Sequence, residues 1–203
     1  SDHDIEQVPG LSGMEPSAVK DELGGYSTGS ISQGYNKTFT HLTYGLKYVI
    51  SKEADDDKKY FLMEDAAKKF PRSFFDTKER LHANVFANGF TTEQAGDSVA
   101  LFSSLHPYPT GGTQSNVLST AAELSFTSLQ SALNDFGNLK TDHGIRINVK
   151  PKFLLVPRNL YQVAINLVKN EYLPGTANND INYVNSEYAM QVVVWDYLND
   201  NPK

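Results

Sequence analysis

From Leu42 to Ile50 large apolar residues take every second position: Leu42, Tyr44, Leu46, Tyr48 and Ile50, with Thr43, Gly45, Lys47 and Val49 between them. That is the period of a strand with one covered face. The Gly- and Ser-rich run before it reads as the outgoing half of a long hairpin over 26–52. A two-stranded hairpin is marginal in water by itself, and no third strand is offered nearby. The first 25 residues, with "VPGLSGMEPSAVKDELGG", sustain no period beyond a turn of helix at Ser17–Leu23. They read as an extended arm, either disordered or laid on a neighbour.

The period then lengthens. Leu62, Ala66, Phe70, Phe74, Thr77, Leu81 and Val85 recur at steps of four or three, which predicts one helix stripe over about 56–88. Asp55, Asp56 and Asp57 suit its N-terminus, and Asn88-Gly89 its end. Pro71 lacks an N–H and crowds the preceding turn. Because the stripe keeps phase across it, a kink in one long helix is expected. Further on, Ser125 reads as the N-cap of a helix carrying Leu129, Ala132, Leu133 and Phe136 and stopping at Gly137-Asn138. "GIRINVKPKFLLVP" reads as strand, with Phe153 to Val156 buried on both faces. Leu160, Val163, Ala164, Leu167 and Val168 mark one face of the next helix. "YLPGTANNDINYVNSEYA" is a polar loop and "MQVVVWDYL" a strand.

Composition narrows the function classes. Two hundred and three residues make one large domain or two small ones. The 39% of hydrophobic residues is slightly low for one compact globule, as extended parts that depend on partners, or a long polar loop, would make it. A net charge of −6 argues against a nucleic-acid groove, which needs clustered Lys and Arg, though not against enclosing DNA at a distance. The absence of cysteine excludes disulfides and thiol catalysis. No apolar run approaches the ~20 residues of a membrane span, and "SDHDIEQVPG" is not a signal peptide. The sequon Asn36-Lys37-Thr38 stands without a secretion signal and reads as chance.

Candidate chemistry is thin. "LFSSLHPYPTGGTQSNV", residues 101–117, has the look of an active-site loop, but a catalytic His106 needs a nucleophile or an orienting carboxylate. The plainer reading is a turn at His106-Pro107 whose imidazole caps a backbone group. His41, His82 and His143 lack zinc spacing, and His3 and Asp4 lie in the arm. Gly111-Gly112 lacks the Gly-Lys-Ser/Thr of a phosphate loop, and Gly29 to Gly34 is one residue too long for a nucleophile elbow. Glu53, Asp55, Asp56 and Asp57 read as helix-capping carboxylates rather than a cation site, and Asn178, Asn179, Asp180 and Asn182 as turn makers. The Tyr44–Tyr48 face suits protein packing better than base stacking.

Several stretches occur in a recognisable order: "YVISKEADDDKKYF", "ERLHANVFANGF", "DSVALFSSLHP", "ELSFTSLQSALNDF", "INVKPKFLLVPRNLYQVAINLVKNEYLPGTANNDINYVN" and "VVVWDYL". Over roughly residues 40–200 they resemble the major capsid proteins of tailed double-stranded DNA phages, in particular the Mu-like major head subunits. The resemblance implies an α+β, Hong Kong 97-type capsid fold. It implies an N-terminal arm (1–25), an extended-loop hairpin (26–52), a peripheral domain with a spine helix (53–118) and an axial domain (119–203). On this reading the 101–117 segment is a connector near a subunit contact. The family continues beyond "VVVWDYL", so the axial domain is expected to be incomplete here. Some relatives cross-link through a loop lysine; Lys37 and Lys47 lie on the hairpin, but no acceptor aligns and that chemistry is not carried over.

The resulting expectation is a self-assembling, non-enzymatic shell subunit with no cofactor and no metal. It would form hexameric and pentameric capsomers, enclose DNA without gripping it, and meet portal, scaffolding and decoration proteins. It would assemble in the host cytoplasm and reside in the virion. Val8, Leu11 and Met14 of the arm, with Leu42, Tyr44, Leu46 and Tyr48 of the hairpin, are the expected contact residues. The rivals are a hydrolase using His106 with a loop Ser or Asp, and a decoration or scaffolding protein.

Overall fold

The computed structural model describes residues 5–58, 60–173 and 180–198. Its first element is a two-stranded antiparallel ribbon, β1 (Ile5–Leu11) on β2 (Gln33–Thr40), with Ile5 opposite Thr40 and Val8 opposite Lys37. This departs from the sequence reading twice. The arm supplies a strand despite Pro9, because in a ribbon of two strands every strand is an edge and a missing N–H is tolerated there. The alternating segment 42–50 forms no strand within this chain. A bulge between Pro9 and Leu11 is built on Gly10, where a Cβ would stand 2.8 Å from the Tyr35 carbonyl oxygen. The helical turn expected at Ser17–Leu23 shrinks to one hydrogen bond, Gly24 N–H to the Asp21 carbonyl at 3.0 Å.

A short helix α1 (Lys52–Asp56) is separated from the long helix α2 (Tyr60–Ala87) by Lys58 at φ 53°. The acidic cluster therefore does not cap the long helix, whose first turn holds no acidic residue; the Asp55 side chain lies outside the described set. As expected, α2 runs through Pro71. Phe70 and Phe74 pack edge to face at 5.2 Å across the proline, and the Ser73 hydroxyl donates to the Phe70 carbonyl at 2.7 Å. The helix ends at Asn88-Gly89, where buried Gly89 leaves room for the Phe102 ring.

His106–Pro107 (β3) and Thr113–Gln114 (β4) form a small hairpin turned by Gly111 and Gly112, at φ 101° and 91°. These left-handed values are why both positions are glycine. Helix α3 (Phe126–Asn138) starts at the predicted cap: the Ser125 hydroxyl accepts from Ser128 N–H, and the Ser128 hydroxyl from Ser125 N–H. Strand β5 (Phe153–Val156) is shorter than "GIRINVKPKFLLVP" suggested, and it is not covered on both faces, since Phe153 is exposed. It lies parallel to β6 (Gln191–Val194), Phe153 opposite Gln191. Between them runs α4 (Tyr161–Lys169), entered through a 3-10 turn at Arg158–Leu160. Ala164 and Val168 are buried on the predicted face of α4, whereas Val163 is exposed.

The core sits in this last region. Leu129 and Leu133 of α3, Val168 of α4, Val184 and Met190 form one cluster, flanked by Phe126, Leu154, Leu167, Tyr183, Tyr188 and Val192. The stretch read as a polar loop holds a single π turn, Val184–Tyr188, closed by Ala189 in the left-handed region. Asn182, 1% exposed, organises it. Its amide donates to the Leu167 and Asn170 carbonyls at the end of α4, and its oxygen accepts from Val184 N–H. The turn-making expected of Asn182 is thus joined to helix capping; Asn178 and Asn179 lie outside the described residues.

Candidate assembly surface

The described structure gives His106 an orienting carboxylate but no nucleophile. His106 is buried, but its partner is not the backbone group expected. Its Nδ1 lies 2.7 Å from an Asp97 carboxylate oxygen, and the other Asp97 oxygen accepts from Val99 N–H. The pair pins the 94–100 turn, in which Ser98 sits at φ 65°. The imidazole Nε2 is buried with no hydrogen-bond partner among the described residues, so no hydroxyl stands where a base would need its nucleophile. Lys37 is an anchor, its Nζ donating to the Gln94 carbonyl.

What the chain presents instead is uncovered apolar surface. Its accessible area is 15529 Å², against about 9500 Å² for a compact monomer of this mass. All seven expected contact residues are exposed, from 43% at Tyr48 to 78% at Leu11. Residues 14–32 are exposed without exception, Val19, Leu23, Tyr26 and Ile31 among them.

Helix α2 shows the same imbalance. The face covered within the chain is Met63, Ala66, Phe70, Ser73, Asp76, Glu79 and Ala83, rotated from the predicted stripe. Leu62, Phe74, Thr77, Leu81 and Val85 of that stripe are exposed, as are Tyr60, Phe61 and Phe75. The chain covers the other face through polar anchors that the sequence did not reveal. The Trp195 indole N–H donates to Glu79 and the Tyr197 hydroxyl to Asp76, each at 3.0 Å, and the Trp195 ring meets Phe86 edge to face at 5.8 Å. The i, i+3 spacing of Asp76 and Glu79 was the available signal, but acidic residues on a helix ordinarily read as solvated.

The end of β6 is held a second way: Arg158 grips Asp196 with two nitrogens, at 2.5 and 2.8 Å. That pair raises the guanidinium and lowers the carboxyl from their ordinary values, first through the hydrogen bond. Lys150 and Glu187 shift in the same opposite senses through their own hydrogen bond and charge. Both pairs are solvent-exposed and contribute little to stability.

Residues 35–202 match the model of the phage capsid protein family. The chain belongs to that family. No curated protein matches it. Its fold is similar to a capsid chain of bacteriophage JBD30, solved as a capsid decorated with minor capsid protein trimers. The TM-score is 0.74 at 14% identity, over 98% of this chain and 87% of that one. A second JBD30 capsid structure gives a TM-score of 0.75 at 13% identity, over 98% and 88%. A phage capsid shell protein is what this fold and this uncovered surface define, and the hydrolase reading has no support.

Proposed function

We propose that the chain is the major head subunit of a tailed phage, of the Mu-like group and the Hong Kong 97 type. Copies of it build an icosahedral shell around double-stranded DNA through hexameric and pentameric capsomers. One observation carries this reading: about 6000 Å² more surface is exposed than a compact monomer of this mass leaves, several times the ~800 Å² each partner contributes to an ordinary protein interface. Val8, Leu11, Met14, Leu42, Tyr44, Leu46 and Tyr48 are its contact residues. The alternation over 42–50 then makes sense as a strand pattern whose cover comes from another copy. Many such contacts sum to a stable shell although each is weak.

On this reading 53–118 is the peripheral domain, with α2 as its spine, and 119–203 the axial domain, centred on the α3–α4 core. The arm (1–25) and extended loop (26–52) act as one unit, since β1 pairs with β2. The acidic balance suits a shell that encloses DNA without binding it. Portal, scaffolding and decoration proteins are the further partners, and assembly takes place in the host cytoplasm. The test is electron microscopy with sedimentation of the purified full-length protein. Shells or capsomers support the reading; a monodisperse monomer across micromolar to millimolar concentration overturns it.

A further inference from the structure

The exposed loop 14–32 leaves the body through a narrow neck, and the neck is gripped. Gly13 has both of its polar main-chain groups held by one turn of the body. Its N–H donates to both carboxylate oxygens of Asp142, at 3.2 and 3.3 Å, and its carbonyl lies 3.1 Å from Nε2 of His143. The Asp142 and His143 side chains are only 8% and 15% exposed. A Cβ on Gly13 would stand 2.8 Å from Asp142 Oδ1, so the close approach itself requires glycine. Beside it, Ser12 closes the neck: its N–H donates to the Ser32 carbonyl at 2.9 Å, and its hydroxyl accepts from Ser32 N–H at 2.8 Å.

The gripping turn is in turn fixed. Thr110 donates its hydroxyl to the Asp142 carbonyl at 2.8 Å, and Tyr108 to the Lys140 carbonyl at 3.0 Å. Thr141 N–H bonds the Ile145 carbonyl at 2.7 Å, with Gly144 at φ 78°. The grip therefore ties the loop's neck to the β3–β4 hairpin and to the turn that follows α3. Elsewhere β1–β2 meets the body through Lys37 and the Gln94 carbonyl. Two separated attachments fix a direction, where one would leave a pivot.

We propose that Asp142 and His143 are positioning residues that lock the direction in which loop 14–32 projects, so that it meets another copy of this chain already aimed. This rests on the self-assembly reading above. Its physical content is pre-organisation: ordering a free loop at the moment of docking weakens each contact, and a locked neck removes part of that cost.

Three full-length proteins test it: wild type, Asp142→Ala, and Asp142→Asn, which keeps a carbonyl oxygen for Gly13 N–H. Hydrogen exchange across residues 12–33 of the unassembled subunit, thermal melting, and shell yield by electron microscopy are measured on each. In Asp142→Ala, exchange at 12–14 should rise about tenfold or more with the body's melting temperature nearly unchanged. Shell yield should fall severalfold, and Asp142→Asn should restore most of both. Unchanged exchange in Asp142→Ala overturns the clasp; raised exchange with wild-type shell yield overturns its role in aiming. If Asp142→Ala fails to fold, Gly13→Ala gives the same comparison from the loop's side. If wild type itself makes no shells, the self-assembly reading fails, while the exchange result still decides whether the clasp exists.

Discussion

Trp195 donates its indole N–H to Glu79 across 116 residues of sequence, at 3.0 Å. Three residues earlier on the helix, Asp76 accepts from Tyr197. Together these bonds seat the end of β6 on the covered face of α2, and they leave the greasier face of the helix to the outside.

Glu79→Ala should lower stability by about 1–2 kcal/mol, since a hydrogen bond to a charged acceptor is lost from a partly buried indole. Chemical denaturation measures it. Trp195→Phe should cost a similar amount, and the double variant should be markedly less than additive.

The Tyr197 phenol is held above its ordinary range, first by the hydrogen bond to Asp76 and then by burial, and Asp76 adds its charge. A folded value raised above the unfolded one stabilises below the unfolded value and is lost as pH rises through the folded one. The melting-temperature difference between wild type and Tyr197→Phe should therefore hold steady up to about pH 10 and shrink above it. The site is only half-buried, so the difference will be small, but its disappearance with alkali is specific.

Asn182→Ala should be among the most destabilising single changes, by about 2–4 kcal/mol. It strips the partners from two carbonyls at the end of α4 and from Val184 N–H, in a site sealed from water. Asn182→Asp should not rescue it, because a carboxylate has no N–H for the two carbonyls. Denaturant midpoints decide both.

Tyr44→Lys and Leu46→Lys, made together, should leave the subunit's melting temperature within about 2 °C of wild type, since exposed positions rarely contribute to the fold. Shell formation should be abolished in electron micrographs. A fall in stability without loss of assembly would place these residues inside the subunit instead.

Gly89→Ala should cost about 1–3 kcal/mol, the usual range for overpacking. The new Cβ would stand 2.7 Å from the Phe102 ring and 3.2 Å from the Phe86 carbonyl. Thermal melting measures the loss, and Phe102→Leu in the same chain should recover part of it.

Local periodicity and capping were enough to place α3 with its Ser125 cap, α4 with Ala164 and Val168 inward, the run of α2 through Pro71, and β6. These features depend on residues within a few positions of one another, and side-chain spacing reports them directly. The pairing of β1 with β2 was not legible, because Pro9 and Gly10 disguise a strand whose partner lies beyond a long exposed loop. Nor was the His106–Asp97 pair: a histidine in a loop does not announce which carboxylate will turn toward it.

By itself the sequence determined which stretches carry apolar faces, including the alternation over 42–50 and the stripe on α2, since hydrophobic period is a property of the chain alone. Only the tertiary structure decided which of those faces this chain covers: α2 turns Asp76 and Glu79 inward to meet Tyr197 and Trp195, and leaves Leu62, Phe74 and Leu81 outside. The reason is that periodicity records where burial occurs, but not whose atoms do the burying. Among the described residues, much of the apolar surface is left uncovered by the chain itself.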